Sequence, residues 1–305
     1  MESLISMNKS NKLSVIVAIP AFNEEANIVK LIKSIRMQDR KYYDLSEFWI
    51  YSDGSTDNTV SLVRKHFKDV KVFDFKKNMG KNKRVNQILR SFKGDVLIQV
   101  DADIKIIHKN VIDNLVKPFY ENRNPGIVCA YHLASFPNSF VEKVAYFGFS
   151  VWNRSRNSLG EKGIRYFCEG GLRAFSKDFT KIFRLPEGKA AGEDSYSFYF
   201  AATKGFNVEI SKNSKVYIDL AGNFRDYVRQ MKRFLIHHGM MLEYFDARVI
   251  RKYEILSFYP KFTALVVELI KTPLIGIFYL LLQAFVKVQM PFYKPNISWV
   301  PVKRK

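Results

Sequence analysis

Short apolar runs alternate with amphipathic stretches from residue 13 to about 135, and this rhythm leaves few folds open to the chain. Leu13–Pro20 (LSVIVAIP) is a continuous run rich in β-branched residues, the pattern of a strand buried on both faces. Ile28, Leu31, Ile32 and Ile35 then recur at helical spacing. Phe48–Ser52 reads as a second strand and Thr56–Phe67 as a second helix, and Val70–Phe75, Lys81–Phe92 and Val96–Asp101 continue the alternation. Strand–helix–strand units of this length imply an α/β fold, a mainly parallel sheet with helices on both faces. Such sheets bind ligands beyond the carboxyl ends of their strands, so the residues just after each apolar run are the candidates for chemistry.

The rest of the chain is less regular. Asn138–Asn157 has a helical pattern, Phe167–Phe175 (FCEGGLRAF) reads as a strand broken by two glycines, and Phe224–Phe245 reads as a long basic helix. Ile255–Val286 is dominated by apolar and aromatic residues, but no window of the ~20 residues needed for a span is free of charge. Two helices, Leu256–Ile270 and Leu274–Val288, meeting at Lys271-Thr272-Pro273, fit better. They suit a membrane hairpin or an interfacial pair; the alternative is a buried pair in a soluble core. The tail from Tyr293 to Lys305 mixes aromatics and cations, as at a cytoplasmic membrane border. Residues 1–250 therefore read as a catalytic domain, with halves at about 13–135 and 136–250, and 251–305 as a membrane-associated hairpin and basic tail.

The net charge of +20 suits a polyanionic partner or an anionic bilayer, and equally a solvated lysine-rich surface. Cys129 and Cys168 are too few for a disulfide framework and lack zinc spacing, and Met1–Asn11 holds no signal-like apolar stretch. A reduced, cytoplasmic setting fits the cysteines, a catalytic part that is not secreted fits the N-terminus, and a hairpin would keep that part on the cytoplasmic face of the cell membrane.

Asp101-Ala102-Asp103 follows the fourth apolar run. Carboxylates at i and i+2 of a strand point the same way, and a hard divalent cation such as Mg²⁺ or Mn²⁺ would relieve their repulsion. Ser52-Asp53-Gly54-Ser55-Thr56-Asp57 follows the second strand: Asp53 is placed to accept hydrogen bonds from a base or ribose, with Ser55 or Thr56 as helix N-cap. Asn78-Met79-Gly80-Lys81 is a basic turn opening a helix, a place for a phosphate. A G-x-G-x-x-G turn after the first strand is absent, which excludes a Rossmann dehydrogenase. Acidic residues at strand ends argue against a nucleic-acid-binding protein, and no nucleic-acid partner is expected.

PAFNEE (Pro20–Glu25), SDGSTD (52–57), NMGKNKRVN (78–86) and DAD (101–103), in this order, resemble the nucleotide-binding half of family 2 glycosyltransferases. Gly192-Glu193-Asp194 resembles the family's acceptor-side E-D motif, and Gln230-Met231-Lys232-Arg233-Phe234 its Q-x-x-R-W motif, with Phe234 in place of tryptophan. Ser52 stands where the family often has a first aspartate. The resemblance covers roughly residues 13–240. It implies a GT-A fold and an inverting displacement at the anomeric carbon of a nucleotide-sugar donor, UDP by default. By that resemblance Pro20, Glu24, Glu25, Asp53, Lys81, Asp101 and Ala102 line the donor site, and Asp103, with Asp101, holds the metal. Asp194 is the general base, with Glu193, Gln230 and Arg233 on the acceptor and diphosphate side. One short apolar region, rather than several spans, favours a single transfer to a lipid or lipid-linked acceptor over processive polymer synthesis. His237-His238 could reach the metal, Cys168-Glu169-Gly170-Gly171 could line the acceptor site, and Tyr196, Phe198, Tyr199 and Phe200 read as core packing.

Overall fold

The computed structural model describes residues 12–187 and 192–293, with the side chains of His237 and His238 also outside the described set. The 294–305 part of the expected basic tail lies outside the described residues, as does the stretch Met1–Asn11.

Eight strands form one sheet: β1 (Leu13–Ala21), β2 (Tyr43–Asp53), β3 (Lys71–Phe75), β4 (Val96–Val100), β5 (Ile104–Lys105), β6 (Ile127–Ala134), β7 (Leu172–Ser176) and β8 (Val208–Ile218), in the order β3-β2-β1-β4-β7-β6-β8-β5. β1 pairs in parallel with β2 and β4, and β2 with β3. β7 runs antiparallel to both β4 and β6, β6 is parallel to β8, and β5 is antiparallel to β8. The sheet is therefore mixed and mostly parallel. The parallel half is the part with the regular strand–helix rhythm, because each parallel neighbour needs a crossover.

Burial on β1 follows the two-residue period of a strand. Val15, Val17 and Ile19 enter the cluster beneath helices α1 (Ile28–Arg36) and α4 (Val111–Tyr120), with α2 (Thr59–His66) beside α1. Ile16 and Ala18 face the opposite cluster, with Val85, Ile88 and Leu89 of α3 (Lys81–Ser91). A sequence buried on both faces reads as the unbroken apolar run seen at Leu13–Pro20.

Helix α5 (Phe140–Asn157) opens on a capping box: Ser139 Oγ accepts from Glu142 N at 3.2 Å, and the Glu142 carboxylate accepts from Ser139 N at 2.9 Å. Helices α6 (Lys177–Ile182) and α7 (Glu193–Thr203) add Phe179, Phe198 and Tyr199 to the second cluster, so the aromatic run after Asp194 is core packing as expected. The basic pattern from Phe224 forms α8 (Phe224–Met241), shorter than the sequence suggested, followed by α9 (Ala247–Tyr253).

Helices α10 (Phe258–Lys271) and α11 (Pro273–Gln289) pack against α5 and each other, with Pro273 opening α11 where its missing N–H costs nothing. Close approach is built on two glycines. A Cβ on Gly276 would lie 2.3 Å from Leu269 Cδ2, and one on Gly148 of α5 would lie 2.6 Å from Tyr279 Cε2. The stretch Pro273–Phe292 is long and apolar enough to cross a membrane, yet only 11% of its apolar window is buried. A buried soluble pair is thus not what forms: the outer faces of both helices remain exposed.

Two local readings are corrected. Phe167–Phe175 is not one strand: a 3-10 helix ends at Phe167, and β7 starts only at Leu172. Gly171 is pressed between neighbours, since a Cβ there would lie 2.5 Å from both His132 Nε2 and Ile104 Cδ1. Helix α2 starts at Thr59 rather than Thr56, because its first amides bond elsewhere: Asn58 N to Glu25 Oε2 at 2.9 Å and Thr59 N to Asp57 Oδ1 at 3.0 Å. Ser55 and Thr56 instead bond to the 21–25 loop, through Asn23 N to Ser55 Oγ and Thr56 N to Asn23 Oδ1.

Candidate active site

β1 lies between β2 and β4, so the chain reverses its order across the sheet there, and the carboxyl ends of these three strands mark the place where such sheets form their ligand crevice. Every early motif is delivered to this edge. Pro20 is buried near the end of β1, paired with Tyr51 of β2. Beyond it Asn23 adopts a left-handed backbone (φ 55°), and Glu24 is buried, its carboxylate accepting from Asn27 Nδ2 at 2.8 Å. Glu25 is exposed and caps α2. The acidic pair therefore ties the first loop together and to the next one.

Asp53 ends β2 and is fully buried. Its carboxylate accepts from Met79 N at 3.0 Å, Gly80 N at 2.8 Å and Arg84 Nε at 2.6 Å. Arg84 also donates to Lys77 O at 2.7 Å and lies 3.8 Å over the Phe75 ring. Gly54, at φ +75°, lets the loops close, since a Cβ there would meet Asn78 N at 2.8 Å. Asp53, expected to accept hydrogen bonds from a base or ribose, also holds the Met79-Gly80 turn and the start of α3, which positions Lys81.

Lys81 enters a partly buried chain of alternating charge, with Glu193 its buried end. Its Nζ lies 2.6 Å from Asp101 Oδ1 and 2.7 Å from Glu193 Oε2. Glu193 in turn pairs with Arg173 of β7 and accepts from Gln99 of β4. Burial alone would raise the Glu193 pKa, but Lys81 and Arg173 outweigh it and hold the carboxyl below its ordinary range. Asp101 is pushed up to about 6, first by burial and then by the charges of Glu193 and Asp103, with Lys81 opposing. Burial disfavours the Lys81 charge, yet Asp101 and Glu193 raise its pKa above the ordinary lysine value.

Asp101 and Asp103 do not share a strand face. Asp101 N extends the β4–β7 pairing by donating to Gly171 O at 2.8 Å, and the chain then turns, with Ile104 N donating to Asp101 O at 3.2 Å. Ala102 is buried in that turn and Asp103 is half-buried. Among the described residues no group of three or more His, Cys, Asp or Glu side chains is placed to hold a metal. The two aspartates still suit a hard divalent ion: both are oxygen donors, they lie two residues apart at one turn, and each carboxylate charge acts on the other through space. Such an ion would complete its shell with ligand oxygens or water.

Asp194 follows Glu193 at the start of α7, and its Oδ1 accepts from Ser195 N at 2.7 Å. Its Cβ faces Gly170, 3.9 Å from where a Cβ on that glycine would lie. The E-D pair thus divides, with Glu193 in the charge chain and Asp194 beside the glycine loop. That loop is braced by Glu169, which accepts from Arg156 Nη1 at 2.8 Å and pairs with His132 Nδ1 at 3.1 Å. Gln230 is half-buried and Arg233 exposed on α8, and neither makes a hydrogen bond or ion pair with the acidic cluster among the described residues.

The buried partners Arg84, Gln99, Arg156 and Arg173 carry the site's geometry, and sequence reading missed their roles. Arg173 alone left a signal, a charge inside the apolar run Leu172-Arg173-Ala174-Phe175.

A model of the family described as "Glycosyl transferase family 2" matches residues 16–183, more than half of the chain. The chain belongs to glycosyl transferase family 2. A glucosyl-3-phosphoglycerate synthase from Petrotoga mobilis is 28% identical over 43% of this chain and 42% of its own length. A dolichyl-phosphate β-glucosyltransferase from Trichomonas vaginalis is 24% identical over 54% of each. The chain thus spans about half the length of these curated relatives. Among solved structures, the mannosyltransferase PcManGT from Pyrobaculum calidifontis, in complex with GDP-Man and Mn²⁺, superposes with a TM-score of 0.59 at 17% identity, covering 92% of this chain and 82% of that one. The fold of this family 2 member is GT-A.

Proposed function

We propose that this family 2 protein is an inverting glycosyltransferase that moves a sugar from a nucleotide-sugar donor, a UDP-sugar by default, to a hydroxyl of a lipid or lipid-linked acceptor. The observation that carries the reading is the Lys81–Asp101–Glu193 cluster at the end of β4, one residue from Asp194, whose Cβ faces Gly170. A basic residue over an acidic turn suits a diphosphate and its cation, while a carboxylate beside a glycine loop suits an approaching acceptor.

In this reading the Asp53–Arg84 pair fixes the turn that carries Lys81. Lys81 meets the diphosphate, and Asp103 with Asp101 holds Mg²⁺ or Mn²⁺. The ion, when bound, draws charge from the departing nucleoside diphosphate. Asp194 takes the acceptor hydroxyl proton as the new bond forms. Arg233 and Gln230 serve the acceptor and diphosphate side, and Arg233 suits bidentate contact with phosphate oxygens.

The lipid acceptor is supported by the exposed apolar faces of α10 and α11, which we place against a membrane surface. The division into a catalytic domain to about residue 250 and a membrane-associated hairpin beyond it follows the same logic. Free cysteines at 129 and 168 fit the reducing, cytoplasmic face.

Titration of the purified chain with UDP and GDP, with and without Mn²⁺, tests the reading in wild type and Asp103→Ala. Metal-dependent binding of one nucleotide, lost in the variant, is expected. A folded wild type that binds neither nucleotide under any condition would sink the proposal.

A further inference from the structure

An open groove of about 780 Å³ runs between α5 and the α10–α11 junction, away from the acidic cluster. Three cations line it, Lys143, Arg154 and Lys271, against one carboxylate, Glu268. Glu268 is buried and engages two of them: its Oε1 lies 2.9 Å from Arg154 Nε and 3.0 Å from Lys271 Nζ. Lys143 is exposed and forms no side-chain hydrogen bond or ion pair among the described residues. Three positive groups and one negative leave a surplus of two positive charges. The amides of Asn153 and Asn157 add polar lining.

The rim is apolar. Ile270 and Leu274, on either side of the helix junction, are 77% and 73% exposed, and Phe278 packs edge-on against Phe140 at 5.1 Å, with both rings partly in solvent. A cationic, polar cleft on the same helices that carry an uncovered apolar face matches an amphiphile with an anionic head. A volume of about 780 Å³ exceeds what inorganic phosphate alone would fill and suits a headgroup with its glycerol backbone.

We propose that this groove seats the phosphate-bearing headgroup of an anionic membrane lipid, whose chains lie along the exposed face of α10 and α11. The proposal rests on the membrane-association part of the function argued above. It adds a built recognition site to what would otherwise be adhesion through an apolar face and diffuse surface charge.

The test is co-sedimentation of the full chain with vesicles of phosphatidylcholine alone and of phosphatidylcholine mixed with phosphatidylglycerol. The wild type is expected to bind both and to prefer the anionic vesicles. Lys143→Gln/Lys271→Gln should lose that preference by roughly tenfold or more, the effect of two lysines near an anionic surface, while binding to neutral vesicles stays. Lys143→Gln alone should lose about half of the effect on a logarithmic scale, and stands in if the double variant does not fold. Lys30→Gln/Lys33→Gln removes the same charge from the exposed side of α1 and should leave the preference in place. A double groove variant that keeps the preference, or an equal loss in the α1 control, would overturn the groove and leave only diffuse charge. Wild type that binds neither vesicle overturns the membrane reading itself, and the groove with it. Titration of lipid-free protein with inorganic phosphate separates the source: binding as tight as to the lipid, and lost in the groove variant, would reassign the site to a soluble phosphate.

Discussion

Lys81 Nζ lies 2.6 Å from Asp101 Oδ1, an ion pair at the point where the third helix starts and the fourth strand ends. The pair answers the like-charge problem posed by Asp101 and Asp103 in a way the motif alone does not reveal: a protein cation already neutralises one of the two. Lys81→Met would leave Asp101 facing Glu193 with the intervening charge removed. Nucleotide affinity should fall by roughly ten- to a hundredfold, the scale of a lost charged hydrogen bond. Calorimetric titration of UDP or GDP checks this, and unchanged affinity would remove Lys81 from the donor site.

Arg84→Met tests whether Asp53 works through the backbone turn. Both side chains of the pair are buried, at 3% and 0% exposure, so the substitution leaves a buried carboxylate without its cation, held only by the Met79 and Gly80 amides. Removing one partner of a buried pair costs about 3–5 kcal/mol. Urea denaturation should show a loss of that order.

The parallel half of the sheet was legible because burial on both faces writes itself as apolar runs, and the helices between them as a 3.6-residue period. Thus Leu13–Pro20 and Val96–Asp101 name their strands to within a residue or so. The order of the motifs also located the site, since Asp53, Lys81 and Asp101 all follow strands that end there. What the sequence hid were partnerships across long separations. Arg84 and Asp53 are 31 residues apart and Gln99 and Glu193 are 94 apart, and neither local periodicity nor spacing encodes such a pair. The same limit applies to Glu193 and Asp194: adjacent in sequence, they are turned by the first turn of a helix into a buried charge network and toward a glycine loop respectively. The strand expected over Phe167–Phe175 failed because two glycines and a buried cysteine read the same in a bent strand as in a loop.

Glu169 predicts a pH dependence. Burial favours its protonated form, but Arg156 and His132 outweigh burial and hold its pKa below the ordinary glutamate range. A carboxyl with a depressed folded pKa stabilises the fold above its unfolded value, about 4.3, and loses that contribution as the pH falls through the folded value. Glu169→Gln should therefore melt below wild type at neutral pH, with a deficit on the order of 1.5–3 kcal/mol. The gap should narrow as the pH falls below about 4.3. Paired thermal melts across that range decide it, and a gap that widens toward acid would reverse the assignment.

Asp194→Asn separates chemistry from donor binding. Asp194 lies beside Gly170 rather than within the Lys81–Asp101–Glu193 chain. Loss of a positioned general base costs about 10²–10⁴ in rate. Transfer should fall by that factor while nucleotide affinity stays within about twofold, well under the 1.4 kcal/mol that a tenfold change represents. Glu193→Gln should behave differently, weakening both the fold and nucleotide binding, because it removes the charge that Lys81 and Arg173 share. Equal behaviour of the two variants would refute the division of the pair.

The hairpin supplies the remaining prediction. Gly148 and Gly276 let α5, α10 and α11 approach closely, and a methyl at either meets a side chain at 2.6 or 2.3 Å. Overpacking of this kind costs about 1–3 kcal/mol and, at this place, opposes chiefly the docking of the hairpin, with Tyr227 of α8 also pressed by the methyl at Gly148. Gly148→Ala/Gly276→Ala should speed proteolysis of the link from Glu254 to Ser257, which is outside any helix and joins α9 to α10. Nucleotide affinity should not change, because the site lies at the carboxyl ends of β1, β2 and β4. A variant that lost nucleotide binding along with its hairpin would show that the catalytic domain depends on α10 and α11 for its own folding, and the proposed boundary near residue 250 would have to be abandoned.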